Sequence, residues 1–127
     1  MKIKLAVVVL ALAAACLMTG PMFAHHASSN YDRVHPITLT GTVTEFEFAN
    51  PHVLVHFEVK DDNGVVTSWT AQSGPPRSLF RAGWTRKSLQ PGDSITVTGY
   101  PSRDGKKSMS VRNLKPPKGS ELTVGAD

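Results

Sequence analysis

Apolar and polar residues alternate in the segment 37–48, with the period of two that is typical of β-strands. The alternation changes phase between Val43 and Phe46, so the apolar face shifts by one position. A β-bulge near Thr44–Glu45 would absorb the shift and bend the strand. We therefore predict one long, bent first strand that ends at the turn Asn50–Pro51. The apolar or small positions that define it are Ile37, Leu39, Gly41, Val43, Phe46 and Phe48.

A second strand is predicted from Val53 to Lys60, and a hairpin leads from it into a third strand. The length of the hairpin loop decides which residues face each other. A two-residue loop would place Trp69 opposite Glu58, whereas a three-residue loop with a left-handed Gly64 places it opposite Phe57. Because only the second register buries the tryptophan, we predict the three-residue loop.

Proline and glycine mark a short helix after the third strand. Pro75–Pro76 suits the start of a helix, and Gly83 suits its end. We predict that this helix spans residues 77–82 and that Leu79 and Phe80 form its core-facing side.

Two more alternating segments, 94–100 and 109–114, complete the set of strands. The order of three strands, a short helix and two strands is typical of an OB-like barrel, whereas an immunoglobulin-like sandwich has about seven strands. We predict an all-β fold, a five-stranded OB-like barrel over residues 37–114 with a short helix between strands 3 and 4. Residues 115–127 show no periodicity and are predicted to be a flexible C-terminal tail.

The first 24 residues have the pattern of a signal peptide. Two lysines precede an apolar run from Leu5 to Leu17, which is shorter than the ~20 residues that a membrane-spanning helix needs. Cleavage between Ala24 and His25 would release a periplasmic or secreted protein with no membrane span. Residues 25–36 would then form an N-terminal arm ahead of the barrel.

A lipoprotein is the alternative, because Ala13–Cys16 loosely resembles a lipidation box with Cys16 as the anchor. Leu12 lies one position too early for a good match, so the cleaved signal peptide is favoured. Cleavage after Ala24 also removes Cys16, which is the only cysteine. The mature domain would then have neither a disulfide nor thiolate chemistry.

The formal net charge is +4, and loss of the two leader lysines lowers it to +2. A net positive charge this small does not predict a polyanionic partner. The charges are uneven, since residues 25–72 hold six acids and two bases whereas residues 73–127 hold ten bases and four acids. Export argues against nucleic acid, and Phe57 and Trp69 are needed for the core. We therefore predict no nucleic-acid partner.

Several short motifs occur together: A-H-H-A at Ala24–Ala27, G-T-V-T at Gly41–Thr44, N-P-H-V at Asn50–Val53, R-A-G-W-T at Arg81–Thr85 and P-G-D-S-I-T-V-T-G-Y at Pro91–Tyr100. From about His25 to Leu114 the sequence resembles a family of small exported bacterial proteins known only as a domain of unknown function. The resemblance implies an exported OB-like barrel and supplies no established activity or catalytic residues. Phe48 departs from the family pattern, which commonly has tryptophan before N-P-H.

Cleavage after Ala24 would make His25 the mature N-terminus, where its α-amine and ring nitrogen can chelate one metal ion. Copper and zinc suit such ligands, and His26 adds a second ring. His52, at the turn after the first strand, is the candidate third ligand if the arm folds back. His35 lies at the other end of that strand, up to ~40 Å away, so it is not predicted to share a site with His52. The alternative is that both leading histidines lie in a loose terminus.

The sequence predicts a binding module rather than an enzyme, since it lacks G-x-S-x-G and H-E-x-x-H motifs and a mature cysteine nucleophile. The first hypothesis is a copper or zinc site built on His25, His26 and His52. The alternative is a metal-free barrel that binds a small ligand or an exported protein partner at the N-P-H turn and the R-A-G-W-T segment. The residues predicted for that surface are Asn50, His52, Arg81 and Trp84.

Two other polar groups are predicted to lie on the surface. His56 and Glu58 share the outward face of the second strand, where a cross-strand polar pair is expected. Four cationic residues surround the short helix and are a candidate grip for a carboxylate or phosphate, although a solvated helix face is the commoner meaning. They are Arg77, Arg81, Arg86 and Lys87.

Overall fold

Residues 30–124 form six strands and one short helix. The computed structural model describes residues 30–124, so the predicted signal peptide, His25 and His26 lie outside the described residues. The elements are β1 (Ile37–Glu47), β2 (Leu54–Lys60), β3 (Val66–Gln72), α1 (Pro76–Arg81), β4 (Ser94–Pro101), β5 (Ser108–Lys115) and β6 (Leu122–Thr123). Within residues 30–124, no helix is long and apolar enough to cross a membrane.

Backbone pairing closes the first five strands into a barrel. The sheet order is β3-β2-β1-β4-β5-β6, and each neighbouring pair in it is antiparallel. β3 also pairs in parallel with β5, from Thr70 opposite Ser108 to Gln72 opposite Ser110, which joins the two edges. The prediction of an all-β, five-stranded OB-like barrel with a short helix between strands 3 and 4 is confirmed.

The predicted β-bulge lies in the middle of β1. Thr44 is left over between Val43 and Glu45, whose partners on β2 are consecutive residues. The alternation then resumes in the opposite phase, so that Phe46 packs against the core and Phe48 is buried within it. One extra residue therefore keeps the apolar side chains of both halves of β1 on the core.

The hairpin between β2 and β3 has the predicted register. Gly64 has a φ of +81°, in the left-handed region, and Trp69 lies opposite Phe57. Trp69 is only partly buried, however, and packs against the core from outside it. The ammonium group of Lys107 lies 5.4 Å from the centroid of its ring and covers part of the remaining face.

All five barrel strands, α1, β6 and the loops after β1 and α1 contribute to one hydrophobic core. Its fully buried members are mostly the inward-facing residues of the alternating pattern, as expected for a closed antiparallel barrel. The buried hydrophobic side chains are Val43, Phe48, Val53, Val55, Phe57, Ala71, Leu79, Trp84, Leu89, Ile95, Val97, Met109, Val111, Leu114 and Leu122.

The short helix α1 buries only one of the two residues predicted to face the core. Leu79 is 2% exposed, whereas Phe80 is 68% exposed, so the prediction for Phe80 was wrong. Adjacent residues on a helix point ~100° apart, and a helix of this length rests on the barrel along one narrow line. Gly83 (φ +86°) then turns the chain so that the Trp84 N–H donates to the Leu79 carbonyl at 2.9 Å.

The C-terminal segment differs from the predicted flexible tail. Leu122 pairs with Leu114 of β5 and is 3% exposed, so it is part of the core. Beside it, the side-chain amide of Asn113 donates to Thr123 at 3.2 Å. β6 therefore pairs with the end of β5, beyond the residues of β5 that pair with β3. A strand of two residues has no period, which is why the alternation did not reveal it.

The described part of the N-terminal arm lies along the β4–β5 hairpin. Tyr31 forms a β-bridge with Ser102, and the Asp32 N–H donates to the last carbonyl of β4 at 2.8 Å. The carboxylate of Asp32 accepts hydrogen bonds from the His35 ring, at 2.9 Å, and from the N–H two residues along the chain. These hydrogen bonds lower the pKa of Asp32 below its ordinary value, the His35 bond having the largest effect.

Candidate functional site

His56 lies on the outer face of β2 and uses both of its ring nitrogens. Nε2 lies 2.6 Å from Oε1 of Glu47, and Nδ1 lies 3.0 Å from the hydroxyl of Thr70. Thr70 is directly opposite His56 on β3, as strand pairing requires for a contact of this kind. The polar partners of His56 are therefore Glu47 and Thr70 on the two neighbouring strands, as expected for a cross-strand polar pair.

The β-bulge places two carboxylates beside this histidine. Without the extra residue, Thr44 would lie opposite His56, and Glu45 and Glu47 would point into the barrel. With it, Glu45 is the direct partner of His56 and Glu47 is its diagonal neighbour on the same face. The same feature that buries Phe48 thus exposes the two acids.

These three residues form a compact group of metal-ligand atoms. One imidazole nitrogen of His56 and one carboxylate oxygen from each glutamate all lie within 4.8 Å of one another. The side chains of His56 and Glu47 are 29% and 43% exposed, so the group is open to solvent on one side. The hydrogen bond to Thr70 limits rotation of the imidazole ring and leaves Nε2 directed at the carboxylates.

The metal site predicted on His25, His26 and His52 stays a prediction, because His25 and His26 lie outside the described residues. His52 is exposed in the loop between β1 and β2, and His35 is exposed and bound to Asp32.

Three of the four residues predicted for a ligand surface are exposed. Asn50 and His52 lie in the loop after β1, and Arg81 is the last residue of α1. Trp84 does not belong to that surface, because it is 3% exposed and its ring packs edge-on at 6.3 Å from the ring of Phe46. Trp84 is buried because the turn at Gly83 directs the chain back onto the barrel.

The Glu45–Glu47–His56 group was missed by the sequence reasoning, although its signal was available. The phase change that predicted the bulge also predicts which residues after Thr44 face outward. Continuing the outward face of the strand beyond the bulge gives Glu45 and Glu47, on the side of the sheet that carries His56.

Comparison with known families supplies the classification. A family model described as "Family of unknown function (DUF6152)" matches residues 12–111. The chain belongs to DUF6152. The resemblance to a domain of unknown function is thereby confirmed, and membership assigns no activity. No curated protein matches this DUF6152 chain.

Solved structures with a similar fold include several OB-fold proteins. The mitochondrial single-stranded DNA-binding protein Rim1 from S. cerevisiae has a TM-score of 0.51 and 9% identity, over 68% of this chain and 96% of that one. A small single-stranded DNA-binding protein from Streptomyces coelicolor has a TM-score of 0.48 and 19% identity, over 68% and 96%. A deletion mutant of TiaS in complex with agmatine has a TM-score of 0.48 and 20% identity, over 76% of this chain and 24% of that one.

The prediction that excluded nucleic acid as a partner was wrong. The barrel has the same architecture as Rim1, whose name states that it binds single-stranded DNA. The aromatic residues needed for the core therefore do not rule out that class of partner. At 9% identity the similarity shows the shared fold alone and assigns no ligand to this family member.

Proposed function

We propose that the protein is an exported metal-binding module that holds one zinc or copper ion on the outer face of its barrel, between Glu45, Glu47 and His56. The observation that carries this proposal is the convergence of one imidazole nitrogen and two carboxylates within 4.8 Å. Export is proposed from the leader pattern of residues 1–24.

The donor set suits these metals. Imidazole and carboxylate are both zinc ligands, with bonds of ~2.1 Å that place the ligand atoms of a tetrahedral site ~3.4 Å apart. His56 and Glu47 are already in contact, and Glu45 is an exposed side chain with room to rotate toward them. Three protein ligands leave a fourth position for water or for another ligand. Copper(II) binds such sites more tightly than zinc at equal availability.

Thr70 has an orienting role in this proposal. When Nδ1–H of His56 donates to Thr70, the lone pair of Nε2 is directed at the metal position. The hydrogen bond of 2.6 Å between Nε2 and the Glu47 carboxylate breaks when the metal binds. Because a metal needs a deprotonated imidazole nitrogen and ionised carboxylates as ligands, zinc affinity is expected to fall as the pH is lowered.

We expect the Glu45–Glu47–His56 group of the mature protein to bind one zinc ion in isothermal titration calorimetry. His56→Ala is expected to weaken binding about 100-fold or more, since it removes the only nitrogen ligand of this group. Thr70→Val is expected to weaken it roughly tenfold, the lower end of the effect of losing an orienting partner.

His35→Ala is the matched control, because His35 is also a surface histidine with a carboxylate partner but has a single acid beside it. Its zinc affinity is expected to equal that of the wild type. Circular dichroism spectra of all variants check that the barrel is intact. Equal zinc binding by wild type and His56→Ala would contradict the proposed site.

The N-terminal histidine pair is a second proposed metal site, independent of the first. Its basis is the chelate that the His25 amine and ring would form after cleavage, with His26 and His52 as further ligands. Mass spectrometry of the exported protein is expected to give His25 as the first residue. A copper(II) titration of His25→Ala is then expected to lose one site and to keep the site at His56. A mature chain that begins elsewhere contradicts the terminal chelate and leaves the barrel site unaffected.

A further inference from the structure

A groove between the end of β1, α1 and the segment after α1 is lined by two aromatic and two cationic side chains. It has a volume of about 440 Å³ and is lined by Phe48, Phe80, Thr85, Arg86 and Lys87. Pockets for small molecules are of this size and are mostly apolar with a few polar groups. The groove shares no residue with the Glu45–Glu47–His56 group.

The floor of the groove is aromatic and continues into the core. Phe48 is 9% exposed and packs edge-to-face against Phe46, with ring centroids 5.8 Å apart. Phe46 in turn packs against buried Trp84, so the aromatic cluster continues into the core. Phe80 also lines the groove, and 68% of its surface is exposed.

The edge of the groove carries positive charge that is not balanced by nearby residues in the sequence. From Ser73 to Gly92 the chain has four bases and no acid. Two of these bases, Arg86 and Lys87, line the groove and are exposed. Their turn is held by hydrogen bonds from the Thr85 N–H to the Ser88 hydroxyl, at 2.8 Å, and from the Lys87 N–H to the Thr85 hydroxyl, at 3.2 Å.

From this charge complementarity we infer that the groove binds a free organic anion, a carboxylate or phosphate joined to an acyl chain or an aromatic ring. The apolar part lies between Phe48 and Phe80, and the anionic group lies against Arg86 and Lys87. Arginine and lysine form short, charge-assisted hydrogen bonds with such groups. The apolar part of the bound ligand then covers the ring of Phe80, which α1 leaves exposed to solvent.

Decanoate is a suitable probe, because it has one carboxylate and one acyl chain. Titration of 15N-labelled protein with decanoate is expected to shift the amide signals of Phe48 and Phe80 and of residues 85–87. Acetate lacks the acyl chain and decyltrimethylammonium reverses the charge, so both are expected to bind at least about tenfold more weakly.

Two variants test the two halves of the groove separately. Phe80→Ala and Arg86→Gln are each expected to weaken decanoate binding about tenfold. Arg77→Gln is the matched control, since Arg77 is an exposed arginine of α1 that does not line the groove. It is expected to keep the wild-type affinity. All three positions are exposed, so the variants are expected to fold.

Decanoate affinity that is unchanged in both Phe80→Ala and Arg86→Gln would overturn the inference, as would equal binding of decyltrimethylammonium. A single-stranded oligonucleotide that binds through Phe80 when decanoate does not bind would also overturn it, in favour of nucleic acid as the occupant. These outcomes do not depend on zinc, so the metal proposal is tested independently.

Discussion

Replacing Trp84 with alanine is expected to lower the free energy of unfolding by about 3–5 kcal/mol, the usual cost of deleting a large buried aromatic side chain. Trp84 is 3% exposed and joins the barrel to the segment after α1 through its contact with Phe46. Its backbone N–H also closes the end of the helix. Loss of the side chain therefore leaves a cavity at the point where the helix rests on the barrel.

Urea unfolding monitored by circular dichroism measures this effect. Phe80→Ala is the matched control, because it removes an aromatic side chain four residues away that is 68% exposed. Its unfolding free energy is expected to stay within about 0.5 kcal/mol of the wild type. Similar losses in the two variants would show that the burial assigned to these two residues is incorrect.

Replacing Gly41 with alanine is expected to cost about 3 kcal/mol of unfolding free energy, at the upper end of the range for overpacking. A Cβ atom at this position would meet a side-chain carbon of Phe57 at 2.9 Å and would overlap the carbonyl oxygen of Glu58. The second contact is with backbone of the neighbouring strand, so a change of rotamer cannot relieve it. Gly41 permits the close approach of β1 and β2 just before the bulge.

Gly74→Ala is the control for this second prediction. A Cβ atom there would meet its nearest neighbours, in Ser78 and Leu79, at 3.7 and 3.8 Å, which are ordinary contacts. The expected change in unfolding free energy is within about 1 kcal/mol, and the loss of backbone freedom in the unfolded chain favours stabilisation. If Gly41→Ala unfolds at the same urea concentration as Gly74→Ala, β1 and β2 are not as close as described.

The barrel was predictable from the sequence because its strands carry strong local signals. The phase change after Val43 predicted the bulge, and the loop ending at Gly64 predicted the register between β2 and β3. Both features are determined by a few consecutive residues. Each of them decides which residues of the alternating pattern face the core, so the sequence pattern reveals it.

Features that depend on contacts between distant segments were not predictable in this way. Phe80 and Leu79 have similar hydrophobicity, and only the position of α1 on the barrel decides which of them is buried. β6 is two residues long and is stabilised by burial of Leu122 rather than by any local pattern. Local propensity does not predict which residues are buried where tertiary packing decides it.

The candidate metal site was predictable from the sequence only in part. Its register is a local property of the bulge, but the contact of His56 with Glu47 and Thr70 needs three strands to be aligned at once. Histidines that are adjacent along the chain, such as His25 and His26, are evident from the sequence. A group with one histidine and two acids from adjacent strands has no spacing motif. The bulge predicts that Glu45 and Glu47 face outward, and the pairing of β1 with β2 then places them beside His56.

The most direct test of the metal site is a crystal structure of the zinc-loaded protein with anomalous diffraction data collected on both sides of the zinc absorption edge. We expect an anomalous peak that disappears below the edge and lies ~2.1 Å from Nε2 of His56 and from one carboxylate oxygen each of Glu45 and Glu47. A fully loaded crystal with its zinc peak elsewhere, and with Nε2 of His56 still bound to Glu47, would contradict the proposed site.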